Sequence, residues 1–90
     1  MKTYKIHIIG TVQGISFRQF LFDKARELEL KGFCRNLNGG AVEVVVEGRD
    51  ENVNEMITAC KQGPKHADVK EVETEELHHQ GFKEFKIIKF

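Results

Sequence analysis

The 90-residue chain carries 14 basic and 14 acidic side chains, so its formal net charge is zero; 40% of its residues are hydrophobic and 31% charged. That composition excludes a disordered chain, and the length leaves room for one core, so a single domain over residues 1–90 is expected. Neutrality also removes the electrostatic case for a nucleic-acid or membrane-surface protein.

The first strand is predicted over residues 4–11, where Tyr4, Ile6 and Ile8 alternate with Lys5 and His7. Gly10 and Gly14 bracket the loop that follows. From Phe17 the period lengthens: Phe17, Phe20, Leu21, Ala25 and Leu28 share a helical face, and Gly32 is predicted to end that helix as its left-handed residue. Residues 33–37 read as a short strand, Asn38-Gly39-Gly40 as a hairpin turn, and 41–47 as a strand with Val42, Val44 and Val46 on one side and Glu43 and Glu47 on the other. Asp50 is expected to cap a second helix bearing Val53, Met56, Ile57 and Cys60, which Gly63-Pro64 stops. A fourth strand spans 67–77; Val69 and Val72 are out of phase in it, which predicts a bulge. Its acidic run from Glu71 to Glu76 suits a solvated edge. After a turn at Gln80-Gly81, residues 82–90 form a last strand with Phe85 and Ile87 on one face. The order β-α-β-β-α-β plus a C-terminal strand predicts an α+β, ferredoxin-like sandwich: an antiparallel sheet with two helices on one face. Many functions use this layout, so the fold alone decides little.

Charge is unevenly spread. Residues 1–36 hold seven basic and three acidic side chains, and residues 37–90 hold seven basic and eleven acidic, so an anionic ligand is sought near the N-terminal third. There, Gly10-Thr11-Val12-Gln13-Gly14-Ile15-Ser16-Phe17-Arg18 joins a strand to a helix. The backbone N–H groups of Gln13, Gly14, Ile15, Ser16 and Phe17 can converge on a phosphate-sized anion, with the positive end of the helix dipole behind them. Arg18 adds a planar cationic fork beside that cradle. The ending Gly-Lys-Ser/Thr is absent, so this is not a Walker loop. By itself the segment also fits a plain tight turn with a surface arginine. Asn36, just before the hairpin, could accept from a water, or make an ordinary turn hydrogen bond.

Together these segments resemble the acylphosphatase family. Its motif G-x-V-Q-G-V-x-F-R stands here as residues 10–18, with Ile15 for Val. Its motif G-x-x-x-N-x-x-D-G-x-V-E runs from Gly32 through Asn36 to Val42-Glu43, with Gly39 where the family has Asp. Glu47-Gly48 and the run Gly63-Pro64, Ala67, Val69, Val72 also match. The substitution at Gly39 is expected to alter hairpin geometry. The resemblance implies hydrolysis of the carboxyl–phosphate anhydride of an acyl phosphate, giving a carboxylate and inorganic phosphate. Arg18 and the loop amides would bind the phosphoryl group and Asn36 would hold the attacking water in line, with no cofactor and no metal. The chemistry tolerates so sparse a site. The leaving carboxylate has a conjugate-acid pKa of about 4 and departs without a proton. A phosphomonoester would need an acid or a metal.

Other readings carry less. An anion-binding or regulatory module could keep this fold and pocket without catalysis, but retention of both Arg18 and Asn36 favours the enzyme. An RNA-recognition domain would place stacking aromatics on its central strands, and Ala41-Val42-Glu43-Val44-Val45-Val46-Glu47 has none. His78 and His79 are adjacent, so in a strand they would face opposite ways rather than share a metal. Cys34 and Cys60 stand at no metal-ligand spacing and read as reduced, buried thiols. No run approaches the roughly 18 apolar residues of a membrane span, and Lys5 and His7 interrupt the only apolar stretch of the start, against a signal peptide. The expected protein is a cytoplasmic monomer whose partners are an acyl phosphate and phosphate, with no nucleic acid and no membrane.

Overall fold

The computed structural model describes residues 1–89. Its elements are β1 (Lys2–Thr11), α1 (Ile15–Glu27), β2 (Lys31–Asn36), β3 (Val42–Gly48), α2 (Asp50–Gln62), β4 (Asp68–Leu77) and β5 (Phe85–Ile88). The strands form one sheet in the order β4-β1-β3-β2-β5. β1 pairs antiparallel with β3 and β4, and β3 antiparallel with β2. The sheet is therefore mixed rather than wholly antiparallel, because β5 joins the edge parallel to β2, from Gly32↔Phe85 to Arg35↔Ile88. The predicted last strand is also shorter than 82–90. Residues 82–84 are held in the preceding connection, and Phe90 lies outside the described residues.

Alternation builds the core. Ile6 and Ile8 of β1 and Val42, Val44 and Val46 of β3 are fully buried with Leu21 of α1 and Val53, Met56 and Cys60 of α2 in a single cluster. Both helices thus cover one sheet face, the ferredoxin-like α+β arrangement. The bulge expected in the fourth strand is present: Ile9 pairs with Glu71 and Gly10 with Val69, leaving Lys70 as the extra residue. β4 forms one edge, with Glu71, Glu73, Glu75 and Glu76 exposed.

Two termination signals resolve differently from the sequence reading. α1 ends at Glu27, and the left-handed residue after it is Glu29, with φ 56°, not Gly32. Leu30 N–H donates to Ala25 at 2.8 Å and Glu29 N–H to Arg26 at 3.0 Å, the paired bonds of a Schellman ending. Gly32 lies inside β2. A Cβ there would run into the Val45 carbonyl of the neighbouring strand, so sheet contact requires this glycine. At α2 the N-cap is Arg49, whose carbonyl accepts from Val53 at 2.9 Å, while Asp50 occupies the first helical position and makes no capping bond. Its carboxylate instead faces the Met1 ammonium at 3.3 Å.

The other face of the sheet is not simply solvated. The chain between β4 and β5 folds beneath it, and Glu47, only 2% exposed, holds that connection. Its carboxylate accepts from Gln80 N–H at 2.6 Å, Gly81 N–H at 3.0 Å, Phe82 N–H at 3.1 Å and the Thr3 hydroxyl. His79 Nδ1 lies 3.2 Å away. Burial raises the Glu47 pKa, but the bonds from Gln80, Thr3 and Phe82, with His79, outweigh it and hold the carboxyl below its usual range. Phe82 also meets Phe33 edge-on.

Candidate active site

β1 and α1 meet at Val12-Gln13-Gly14. Val12 is buried and fixes the loop to the core, while Gln13 and Gly14 are exposed. Gly14 is the N-cap of α1, at φ 112° and ψ 171°, a conformation essentially restricted to glycine. The helix starts two residues before its apolar period, because Ile15 and Ser16 lie on its solvent side; Ile15 is 74% exposed. Ile15, Ser16 and Phe17 therefore belong to the first helical turn rather than to the loop. Phe17 buries its ring in the core and so anchors that turn.

The N-terminus of α1 is electrostatically bare. No side chain caps it and no acid stands in its first turn. Among the described residues, no acceptor takes the N–H groups of Gly14 to Phe17. The N-terminus of α2, by contrast, carries Asp50 and Glu51. Only the α1 terminus leaves its positive end for an external anion.

Arg18 lies one residue beyond that turn. Its Nε is 3.4 Å from the Gly14 carbonyl oxygen, which also accepts the Arg18 backbone N–H at 3.3 Å. No carboxylate among the described residues pairs with it. Arg18, Gln13, Asn36, Leu37, Asn38, Ile88 and Lys89 line one open cleft of about 470 Å³. The Asn36 side chain reaches it from the end of β2, paired across to Val42. Its Oδ1 is buried and, among the described residues, has no hydrogen-bond partner. An uncompensated buried acceptor is costly, so Asn36 is a cleft residue whose amide oxygen the fold leaves with an unmade hydrogen bond.

The structure thus brings Gln13, Arg18 and Asn36 to one cleft, with the amides of Gly14, Ile15, Ser16 and Phe17 adjoining it in sequence. Thr11 is exposed at the end of β1 and does not line it. Sequence reasoning missed Ile88 and Lys89, which arrive from the other end of the chain through the parallel pairing of β5. It also missed the Gln13 side chain, whose amide donates to the carbonyls of Leu37 at 3.0 Å and Ala41 at 3.2 Å. Gly39, at φ 89°, and Gly40, at φ 97°, form the tip of this hairpin. A similar-sized depression lined by Phe22, Arg26, Glu29, Leu30, Lys31, Glu84 and Phe85 mixes both charges and includes no helix N-terminus.

Cys34 supplies no nucleophile to the cleft. It is fully buried, and burial pushes its thiol up to about 11, against a smaller pull from the Arg18 charge. Cys60 is likewise buried, and burial with Cys34 nearby pushes it to about 12. Both are free thiols. Among the described residues no three His, Cys, Asp or Glu side chains cluster as metal ligands. Among the described residues, no helix is long and apolar enough to cross a membrane.

The chain is similar to known proteins over most of its length. The family model described as Acylphosphatase aligns with residues 4–87. The acylphosphatase of Chloroflexus aurantiacus is 47% identical over 68 residues, covering 76% of this chain and 74% of that one. That of Methanothrix thermoacetophila is 39% identical over 84 residues, 93% of each chain. The crystal structure of acylphosphatase from Bacillus subtilis superposes with a TM-score of 0.94 at 30% identity, covering 99% of this chain and all of that one.

Proposed function

The chain belongs to the acylphosphatase family and is an acylphosphatase, and we propose that it cleaves acyl phosphates by in-line attack of a water held by Asn36 on a phosphoryl group held by Arg18 and the α1 amides. One observation carries the reading. Arg18, which follows a bare helix N-terminus, and Asn36, whose amide oxygen is buried and unpartnered among the described residues, line one cleft.

The phosphoryl oxygens accept from the backbone N–H groups of Gln13 to Phe17 and from the Arg18 guanidinium. Asn36 Oδ1 accepts from the attacking water and fixes its oxygen opposite the leaving group. As the water O–P bond forms, the bond from phosphorus to the acyl oxygen breaks, and its electron pair leaves with the carboxylate. The cleft-lining side chains include no Asp, Glu or His. The water's proton therefore passes to a phosphoryl oxygen, and the dianionic substrate plus water becomes a carboxylate and dihydrogen phosphate. Preorganised donors facing the developing charge supply the main rate term, as in other phosphoryl transfers. Among the described residues the lining offers no carboxylate, imidazole or thiolate to hold a metal, and the proposed reaction uses none. Two buried free thiols suit a reducing compartment such as the cytoplasm.

Hydrolysis of benzoyl phosphate in the presence of a chelator tests the reading. Wild type is expected to turn over. Arg18→Ala is expected to lose turnover and phosphate inhibition together. Asn36→Ala is expected to lose kcat about 100-fold or more while inorganic phosphate still inhibits. A folded wild-type protein that binds phosphate but leaves the anhydride intact would make this an anion-binding module instead.

A further inference from the structure

The anion-binding turn and Asn36 sit on segments that the sheet does not join directly. β1 and β2 are separated by β3, and both ladders reach their last common rung at Val42, which faces Ile8 on one side and Asn36 on the other. Beyond Ile8, the residues leading to the turn (Ile9, Gly10 and Thr11) pair only with β4, on the side away from Asn36. Backbone pairing thus leaves the spacing between phosphoryl group and water weakly determined. The Gln13 side chain spans this gap. Its Nε2 donates to Leu37 O at 3.0 Å and Ala41 O at 3.2 Å. Leu37 follows Asn36, and Gln13 precedes the Gly14 cap. The same two carbonyls close the hairpin neck, since Leu37 N–H donates to Ala41 at 2.8 Å and Gly40 N–H to Leu37 at 3.4 Å. One amide therefore ties a residue of the cradle to the immediate neighbour of the water-holding residue.

We infer that Gln13 is a positioning residue that sets the distance between the bound phosphoryl group and the Asn36-held water. The inference rests on the acylphosphatase reading and adds to it a role for the Gln13 side chain, separate from the Gln13 backbone N–H placed in the cradle. Both linked groups must be correct to a fraction of an ångström for in-line attack, and a misplacement of about 1 Å can cost about 100-fold in rate. Phosphate affinity needs the cradle alone and is independent of that spacing.

The test uses Gln13→Met, which keeps length and removes both donor hydrogens at an exposed position, and Gln13→Glu, which sets a carboxylate against two carbonyl oxygens. Benzoyl phosphate kcat and KM and the Ki of inorganic phosphate are measured for both variants and wild type. The expected result is a kcat about 10- to 100-fold lower in Gln13→Met, with the Ki for phosphate within about threefold of wild type. In Gln13→Glu the deficit is expected to shrink as pH falls. The facing carbonyls favour the neutral acid, which regains one donor, while Arg18 and Lys89 in the same cleft favour the carboxylate, so the recovery is read as its direction with falling pH. A general loss of structure would move Ki with kcat and would not be relieved by acid. Wild-type kcat in a folded Gln13→Met protein overturns the inference, and parallel loss of kcat and Ki overturns it in favour of a place in the cradle. If wild type itself fails to hydrolyse benzoyl phosphate, the acylphosphatase reading fails, and this inference with it.

Discussion

Glu47→Gln removes a single charge at nearly constant shape, and the structure sets what that should cost. Oε1 accepts from Gly81 and Phe82 N–H; Oε2 accepts from Gln80 N–H and the Thr3 hydroxyl and faces His79. A glutamine has one acceptor oxygen. Whichever way its amide turns, at least one backbone N–H then meets an NH2 group in a site 2% exposed, while the Thr3 hydroxyl can turn to accept. A buried donor left without an acceptor costs about 1–3 kcal/mol, so the expected loss is about 1–3 kcal/mol. For a chain of this length, total stability is about 5–13 kcal/mol, so the loss is readily measured by urea unfolding. Its pH dependence has a fixed sign. The folded-state pKa of Glu47 is lowered, so its contribution is present above the unfolded value of about 4.3 and is lost as pH falls through the folded value. Wild type and variant should therefore differ by a constant amount near neutrality and converge in acid. Turnover of the folded variant should be unchanged, because Glu47 lies at the opposite end of β3 from Val42 and the cleft. A loss below about 1 kcal/mol at pH 7, or a difference that does not narrow below the unfolded pKa, would refute the assignment of Glu47 as the anchor of the β4–β5 connection.

Glu29→Gly should stabilise the protein by about 0.5–1 kcal/mol, since a left-handed non-glycine residue costs about 1–2 kcal/mol and glycine recovers part of it. A rise of a few degrees in Tm checks this, and no rise would place compensating contacts on the Glu29 side chain. Cys34 and Cys60 should resist an aromatic disulfide reagent at pH 8 in the native state and react at once in urea, since both are buried and their thiols are held protonated. Rapid native labelling of either would contradict the packing of that thiol in the core.

Local patterns were legible wherever one neighbour decides the outcome. Val42, Val44 and Val46 alternate because one face of β3 packs on helices, and Asn38-Gly39-Gly40 turns the chain as its composition requires. Gly32 misled because two different needs call for glycine. The helix end was met by Glu29 despite its side chain, whereas the strand could not admit a Cβ against Val45. The start of α1 was read two residues late because Ile15, an apolar residue, points to solvent. Asp50 reads as a cap from composition, but the carbonyl that accepts the first helical bond is that of Arg49. None of these misplacements disturbs the sheet order, which rests on the long apolar strands.

The site shows the same division more sharply. Arg18 and the glycine-bracketed turn could be found in sequence because cradle and cation are adjacent along the chain. Asn36 could not be distinguished from an ordinary turn residue without the family resemblance, since its significance lies in an oxygen left unpartnered after folding. Gln13 reads as a loop residue, and Lys89 as a solvated lysine, until β3 and β5 bring distant segments together. Acyl phosphate chemistry needs no acid, base or metal, so it leaves no cluster of titratable residues to search for. What it demands is a fixed spacing between an anion cradle and one oriented water. Spacing is a property of strand order and register, here of two ladders that both end on Val42, and it becomes visible only when the sheet is assembled.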